Sequence, residues 1–457
     1  MDTEDMSQEF AGRRCKSAAE VLQIKRQERW TSLATKAALV VIGTCAVSNF
    51  HPKLLAGGEE STLQQQIVIA CWIVVIGVSY FRRTILRVAW TAGASSAMAF
   101  YAFALLSAFW SNNPLANGGK AVALGIVIFG AYRLARTAPF DDVIDSLVHS
   151  MFIICAASIL MALFVPDIGV VHDWQHAGQW SGVFASKQSL GMAGAMALFL
   201  SSYRLMGEQR SYYHVVVALA ALASVVGSGS RGGGALAAAA VLLIYLTSRF
   251  TMFIRIVAFA PFVMSLLGAA LIWRMTATGL DHLEIFGAEL DFTQRTFIWQ
   301  HALAHFKNAP WLGYGLNGFW TLKDVKDLFV ERHTWFLDNY HDGYIAIVME
   351  TGAIGFGLFV LSYFLYGLQI SWRIAGGGPP HPDVAVSLAY TCMIFFIDFT
   401  ETYFLRSTNV MSTFLLLTLF ITYAHRPSVL RSAADRAFAP PLDSGMRRRK
   451  NGRSSLI

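Results

Sequence analysis

A few ionisable residues stand in surroundings that are otherwise apolar or glycine-rich, and their types suit the handling of a phosphate and a hydroxyl. Arg231 lies in Gly227-Ser228-Gly229-Ser230-Arg231-Gly232-Gly233-Gly234. Glycines let the backbone approach a ligand and leave turn N–H groups free for an anion, while the guanidinium fork can grip a phosphate with two prongs. The same arginine could equally be a basic flank that anchors a turn. Arg295 opens Arg295-Thr296-Phe297-Ile298-Trp299, and a phosphate could sit between it and Arg231; a surface pair with Asp291 is the plainer use. Lys187, in Phe184-Ala185-Ser186-Lys187-Gln188-Ser189-Leu190-Gly191, could meet phosphate or snorkel to the membrane surface. His341 precedes an apolar run in His341-Asp342-Gly343-Tyr344. An unperturbed imidazole is largely neutral near pH 7 and can take a proton from a hydroxyl, although capping or interfacial anchoring would also place a histidine there. Asp398 and Glu401, three apart in Ile397-Asp398-Phe399-Thr400-Glu401-Thr402-Tyr403, share a helix face. Buried carboxylates are expensive, so they need a partner, for which Arg231, Arg295 or a sugar hydroxyl would serve.

Weaker patterns lead less far. His301 and His305 have i,i+4 spacing but lack the glutamate of a zinc-protease helix, and His172, Asp173 and His176 share one short loop. No metal site is expected. The chain carries no P-loop, dinucleotide fingerprint or nucleophile elbow, so no nucleotide cradle is expected either. Five cysteines show no metal or disulfide spacing.

The elements that must position these residues are membrane helices. Of 457 residues, 55% are hydrophobic and 14% charged, against about 25% charged in soluble proteins. A globule of this composition could not cover itself with polar surface, which excludes a disordered chain and an ordinary soluble enzyme. About 20 apolar residues cross a bilayer, and twelve segments qualify: 32–50, 64–80, 90–110, 118–134, 146–165, 188–206, 212–228, 232–248, 252–273, 344–368, 384–400 and 408–424. The fold class is all-α integral membrane. The organisation is a basic tail (1–31), spans one to nine (32–273), a long loop (274–343), spans ten to twelve (344–424) and a second basic tail (425–457). No cleavable leader is expected, so the first span would serve as an uncleaved anchor. With both termini in the cytoplasm, inner tails and connections hold 24 of the 36 Lys and Arg, in keeping with the positive-inside rule. The net charge of +7 therefore sets topology and attracts lipid headgroups, notably at Arg447–Lys450, rather than nucleic acid.

The long loop has structure written into it. Residues 295–306 read as an amphipathic helix with Ile298, Trp299, Ala302, Leu303 and Phe306 on one face, ended by Pro310 and Gly313. A second piece is expected at 321–329. Trp299, Trp311, Trp320 and Trp335 suit sugar stacking, interfacial anchoring or simple packing. No internal repeat and no matching pair of broken spans, of the transporter kind, is seen.

These residues resemble the O-antigen ligase and O-antigen/exopolysaccharide polymerase superfamily. His341-Asp342, nine residues and Gly352-Ala353-Ile354-Gly355 resemble its ligase signature; Pro310-Trp311-Leu312-Gly313-Tyr314-Gly315 resembles its Pro-x-x-Gly-x-Gly; the Ser228-x-Ser230-Arg231 turn and the Lys187 segment precede the loop in the expected order; and Thr400-Glu401 looks like the exopolysaccharide polymerases. Asp342 stands where the family has Asn, Ser or Gln, and Gln188 where it has Asn. The resemblance implies a metal-independent, inverting glycosyltransferase without cofactor in the bacterial inner membrane, its site facing the periplasm. Its donor would be an oligosaccharide on undecaprenyl diphosphate. Arg231, Arg295 and Lys187 would hold the diphosphate, His341 would be the base, and Glu401, Asp398 and Asp342 would orient it or meet the acceptor. Expected partners are membrane lipids and a flippase or chain-length regulator, with no nucleic acid. The polymerase reading leads. A ligase acting on lipid A-core or protein is the alternative within the family, and a twelve-span solute transporter the alternative outside it.

Overall fold

The computed structural model describes residues 18–54, 62–82, 86–174, 176–207, 210–278, 283–285, 288–290, 295–333, 339–375 and 382–425. The helices are α1 (Ala18–Cys45), α2 (Thr62–Ser79), α3 (Ala92–Leu106), α4 (Pro114–Thr137), α5 (Phe140–Phe164), α6 (Lys187–Met206), α7 (Tyr212–Ser228), α8 (Arg231–Arg249), α9 (Thr251–Val257), α10 (Ala260–Thr278), α11 (Arg295–Phe306), α12 (Lys323–His333), α13 (Gly343–Ala375), α14 (Pro382–Ile397) and α15 (Val410–Tyr423), with short 3₁₀ and one-turn pieces between them. Two small antiparallel ladders join β1 (Arg87–Val88) to β4 (Ala424–His425) and β2 (Leu283–Ile285) to β3 (Ala288–Leu290).

Each of the twelve apolar segments falls on helix, the ninth on the α9–α10 pair. Six described runs are long and apolar enough to cross a membrane by length and composition: Ala92–Trp110, Pro114–Thr137, Phe140–Phe164, Arg231–Arg249, Thr251–Ala277 and Gly343–Trp372. Leu63–Ser79, Tyr212–Ser228, Pro382–Ile397 and Val410–Tyr423 are apolar but shorter. α1 begins within the tail expected at 1–31, with Lys25, Arg26, Glu28 and Arg29 in its first half; residues 1–17 and 426–457, including the Arg447–Lys450 cluster, lie outside the described residues. α13, α14 and α15 form the middle of the bundle, with α14 and α15 buried over most of their length. Around them, Leu219, Val226, Leu242 and Leu267 stand exposed, an apolar outer surface of the kind a helix shows to lipid.

The two ends of the bundle are held differently. At one end, arginines tie loops to helix ends. Arg82 donates to the Thr137 and Thr31 carbonyls, Arg136 to Leu86 O, Arg255 to Ile374 O, and Arg204 pairs with Asp141 and Asp145. At the other, loops interlock: Val410 N donates to Ala46 O, Asn409 Nδ2 to Val47 O, Leu316 N to Ser107 Oγ and Trp110 Nε1 to Leu312 O.

The second end also contains a broken helix. α13 is interrupted at Gly352, whose φ of 66° and ψ of −171° are open to glycine alone. A break strands carbonyls in the preceding turn, and the Pro310–Gly315 segment takes them up. Tyr314 N donates to Met349 O, Gly315 N to Glu350 O, and in return Ala353 N and Ile354 N donate to Pro310 O and Trp311 O. A Cβ on Gly313 would lie 2.6 Å from Gly352 N, and one on Gly352 would collide with Trp311 O. The two glycine motifs read from the sequence are therefore the two halves of one joint, and the long loop reaches into the bundle instead of lying wholly outside it. No broken span was expected from the sequence; the missing signal was backbone sign at Gly352, which sequence does not display.

Candidate active site

The long loop folds as expected at its first helix and shifts at its second. α11 covers Arg295–Phe306, with Ile298, Trp299, Ala302 and Leu303 buried. The second helix runs Lys323–His333 after a 3₁₀ turn at Phe319–Thr321, because Phe319 and Trp320 turn inward to pack on Tyr340. The tryptophans divide: Trp299 and Trp320 are core, Trp311 is exposed, and Trp335 lies outside the described residues. Trp299 also donates from Nε1 to Tyr340 O at 3.0 Å, which docks α11 beside His341.

Three expected site residues meet there. Arg295 donates from a guanidinium nitrogen to Glu401 Oε1 at 3.0 Å, and the other oxygen of Glu401 stands 3.7 Å from His341 Nδ1. The second distance is an electrostatic contact, longer than a hydrogen bond. They come from positions 295, 341 and 401, on a loop helix, a helix approach and the segment after α14. Arg295 and Glu401 are mostly buried, their side chains 16% exposed, and His341 is half-buried. Burial pushes the Glu401 carboxyl up, but the imidazole and the guanidinium outweigh it and hold the group below its ordinary value, so it is an anion at neutral pH. The pair with Asp291 considered for Arg295 involves a position outside the described residues.

His341 adopts a left-handed φ of 51°, uncommon for any residue with a side chain, although histidine tolerates it better than most, and a strain of about 1 kcal/mol. Its N–H donates to Asn339 Oδ1 at 3.3 Å. The turn is needed because α13 starts two residues later in a confined place. Gly343 N donates to Asp398 O at 2.7 Å, and a Cβ on Gly343 would strike the Asp398 carboxylate.

Asp342 and Asp398 frame this start. Asp342 Oδ1 accepts from Ile345 N at 2.7 Å as the cap of α13, and its own N–H donates to Thr402 Oγ1. Asp398 Oδ1 accepts from Tyr403 N at 2.7 Å. Each carboxylate keeps one buried oxygen without a hydrogen-bond partner among the described residues. Burial pushes the Asp342 carboxyl up to about 7, with the amides of Ile345 and Tyr344 and the Arg295 charge pulling the other way. Asp342 thus serves as a helix cap whose burial strengthens its hold on a proton.

Lys187 and Arg231 form a neighbouring group. Lys187 Nζ meets Gln179 Oε1 at 2.6 Å and His176 Nδ1 at 3.1 Å. The Gln179 side chain also lies against Gly229, whose φ is 55°, so the loop before α6 packs over the glycine turn. Ser230 caps α8 through the Gly233 N–H, and α8 reaches so near α6 that a Cβ on Gly233 would lie 2.7 Å from Gly191 Cα. Arg231 follows that cap, exposed to solvent and near enough to Lys187 for their charges to repel. No hydrogen bond or ion pair joins these two residues to the Arg295–Glu401–His341 group among the described residues. The helices that lead to the two groups touch, since a Cβ on Gly232 would lie 3.9 Å from Ile397, the last residue of α14.

A second arginine–glutamate pair escaped sequence reasoning. Arg406 donates to both oxygens of Glu350, at 2.9 and 3.3 Å, and Glu350 is 1% exposed. The signal was present: a carboxylate inside an otherwise apolar span implies a buried partner. His301 and His305 sit in aromatic packing around Phe319 and Trp320, and His172 bonds the Pro166 carbonyl. Among the described residues no three His, Cys, Asp or Glu side chains converge as a metal-ligand set.

Chemically, the site offers a guanidinium and a nearby cationic turn for an anion, and an imidazole backed by a carboxylate for a hydroxyl proton. No curated protein matches the chain. Residues 215–360, from within α7 to within the second half of α13, match the family model described as O-antigen ligase.

Proposed function

We propose, from the match of residues 215–360 to the family model described as O-antigen ligase, that this helical membrane protein is a bacterial inner-membrane polysaccharide polymerase. It transfers a glycan from undecaprenyl diphosphate to an acceptor sugar hydroxyl, in O-antigen or exopolysaccharide synthesis. The observation that carries this reading is the meeting of Arg295, Glu401 and His341. In the transfer, the acceptor oxygen attacks the anomeric carbon and its proton passes to the His341 ring nitrogen that does not face Glu401. The bond from that carbon to the phosphate oxygen breaks with its electron pair on undecaprenyl diphosphate, and the configuration inverts. Arg231 and Arg295, with Lys187 assisting, hold the diphosphate and strengthen their grip as its charge grows. Glu401, anionic at neutral pH, steadies the imidazolium that forms. The site faces the periplasm, with twelve spans and both termini in the cytoplasm. Lipid-embedded donor delivered by a flippase, and a chain-length regulator, complete the set of partners.

A ligase that hands the glycan to lipid A-core or to protein uses the same chemistry. The acceptor decides. Purified protein in liposomes with an undecaprenyl-diphosphate oligosaccharide should lengthen the glycan and release undecaprenyl diphosphate. Transfer only when lipid A-core is added makes it a ligase, and solute uptake without bond cleavage makes it a transporter. Full turnover by both Arg231→Ala and Arg295→Ala sinks the mechanism.

A further inference from the structure

We propose that Glu350 and Arg406 are positioning residues, whose buried two-pronged pair sets the spacing between the Glu401 carboxylate and the His341 imidazole. The inference rests on the reading of that imidazole and carboxylate as the reacting site.

The break at Gly352 makes residues 343–351 a separate half-helix. His341 stands at one end of it and Glu350 at the other, about 10 Å away by helical rise. The segment after α14 runs alongside, with Glu401 at the first end and Arg406 at the second. At the first end the two segments are stitched by Gly343 N to Asp398 O and Asp342 N to Thr402 Oγ1. At the second end, Arg406 on Glu350 is the tie. Between them Leu405 holds a left-handed φ of 60°, a conformation that surrounding structure must impose.

Glu350 is also where the third carrier of the site arrives. Its backbone carbonyl accepts from Gly315 N, in the segment that follows α11 and hence Arg295. The half-helix, the Glu401 segment and the loop from α11 thus converge on one residue. Stability does not account for placing a charge there, because buried ion pairs replaced by apolar side chains of similar volume are often neutral or better. A bidentate guanidinium–carboxylate pair does fix direction as well as distance, and the function of fixed direction here is to register Glu401 against His341.

The test compares full-length wild type with Glu350→Leu/Arg406→Met, which removes both charges and leaves none unpaired, and with Arg406→Lys, which keeps the charge and loses one prong. Transfer from the lipid-linked oligosaccharide and hydrogen–deuterium exchange are both measured. The double variant should melt within a few degrees of wild type, lose about tenfold or more in kcat and keep KM for the donor within about threefold. Its amides at 342–345 and 401–403 should exchange about tenfold faster. Arg406→Lys should fall between. Wild-type kcat in the double variant, or a rise in KM with kcat unchanged, overturns the proposal. If wild type itself transfers no glycan, the functional reading fails and exchange alone decides: unchanged amide protection in both variants then overturns the positioning role.

Discussion

Two arginine–glutamate pairs sit at the same end of this protein, and they have opposite characters. Arg406 grips Glu350 with two hydrogen bonds, at a glutamate 1% exposed. Arg295 reaches Glu401 with one, leaving the carboxylate's second oxygen toward His341 and a third of the histidine side chain in the open. In the first pair both carboxylate oxygens are taken and the carboxylate is closed to solvent, although the Arg406 side chain keeps 22% of its surface exposed. In the second a single hydrogen bond holds the carboxylate, so an incoming anion can compete for the guanidinium. The same residue types therefore serve as fixture and as working part, and what separates them is the number of bonds already made.

That contrast can be broken by mutation. Arg406→Ala leaves Glu350 charged and unpaired inside the bundle, and should cost about 3–5 kcal/mol, read as a lowered melting temperature in detergent and poor expression. Arg295→Ala leaves Glu401 with His341 as a remaining partner, so it should cost less stability than Arg406→Ala while reducing glycan transfer about 10²–10³-fold, the range for losing one donor to developing charge. Equal stability losses in the two variants would erase the distinction. Arg295→Lys should recover little of the transfer, because a point charge cannot hold a phosphate with two prongs. Gly352→Ala attacks the joint that supports both pairs; its φ of 66° and the Trp311 carbonyl in its path should destabilise by more than about 1 kcal/mol. A further effect concerns pH. Asp342 binds its proton more tightly in the folded state, near 7 against 3.8, so stability is full below about pH 4 and declines as pH rises toward 7. Asn also caps a helix, so Asp342→Asn should flatten that decline in a melting-temperature profile by a few degrees and gain over wild type above pH 7. A steeper decline in the variant would contradict the buried-carboxyl assignment.

What could be read from the sequence was what depends on local period. α11 runs over residues 295–306 as expected because its apolar face repeats at helical spacing, and the apolar segments fall on helix because a long apolar run must satisfy its backbone within itself in a bilayer. The second loop helix moved because long-range packing of Phe319 and Trp320 on Tyr340 overrode local preference. Arg295, His341 and Glu401 were each singled out from their chemistry, and their meeting was foreseen only as one choice of partners among several. Pairing across 106 residues has no local signature. Glu350 was passed over because one charge in a long apolar run barely lowers its hydropathy, and the glycine motifs displayed their spacing without displaying that they lock into each other.

The tie between Asn409 and Val47 spans 362 residues, and Arg406 enters from the same late stretch of chain. A ribosome making this protein will have threaded nearly every helix before the pieces that close the His341 end exist. The nascent chain thus carries an open, inert site until its last helix is delivered, and a product cut short before residue 406 should sit in the bilayer as a bundle that transfers nothing.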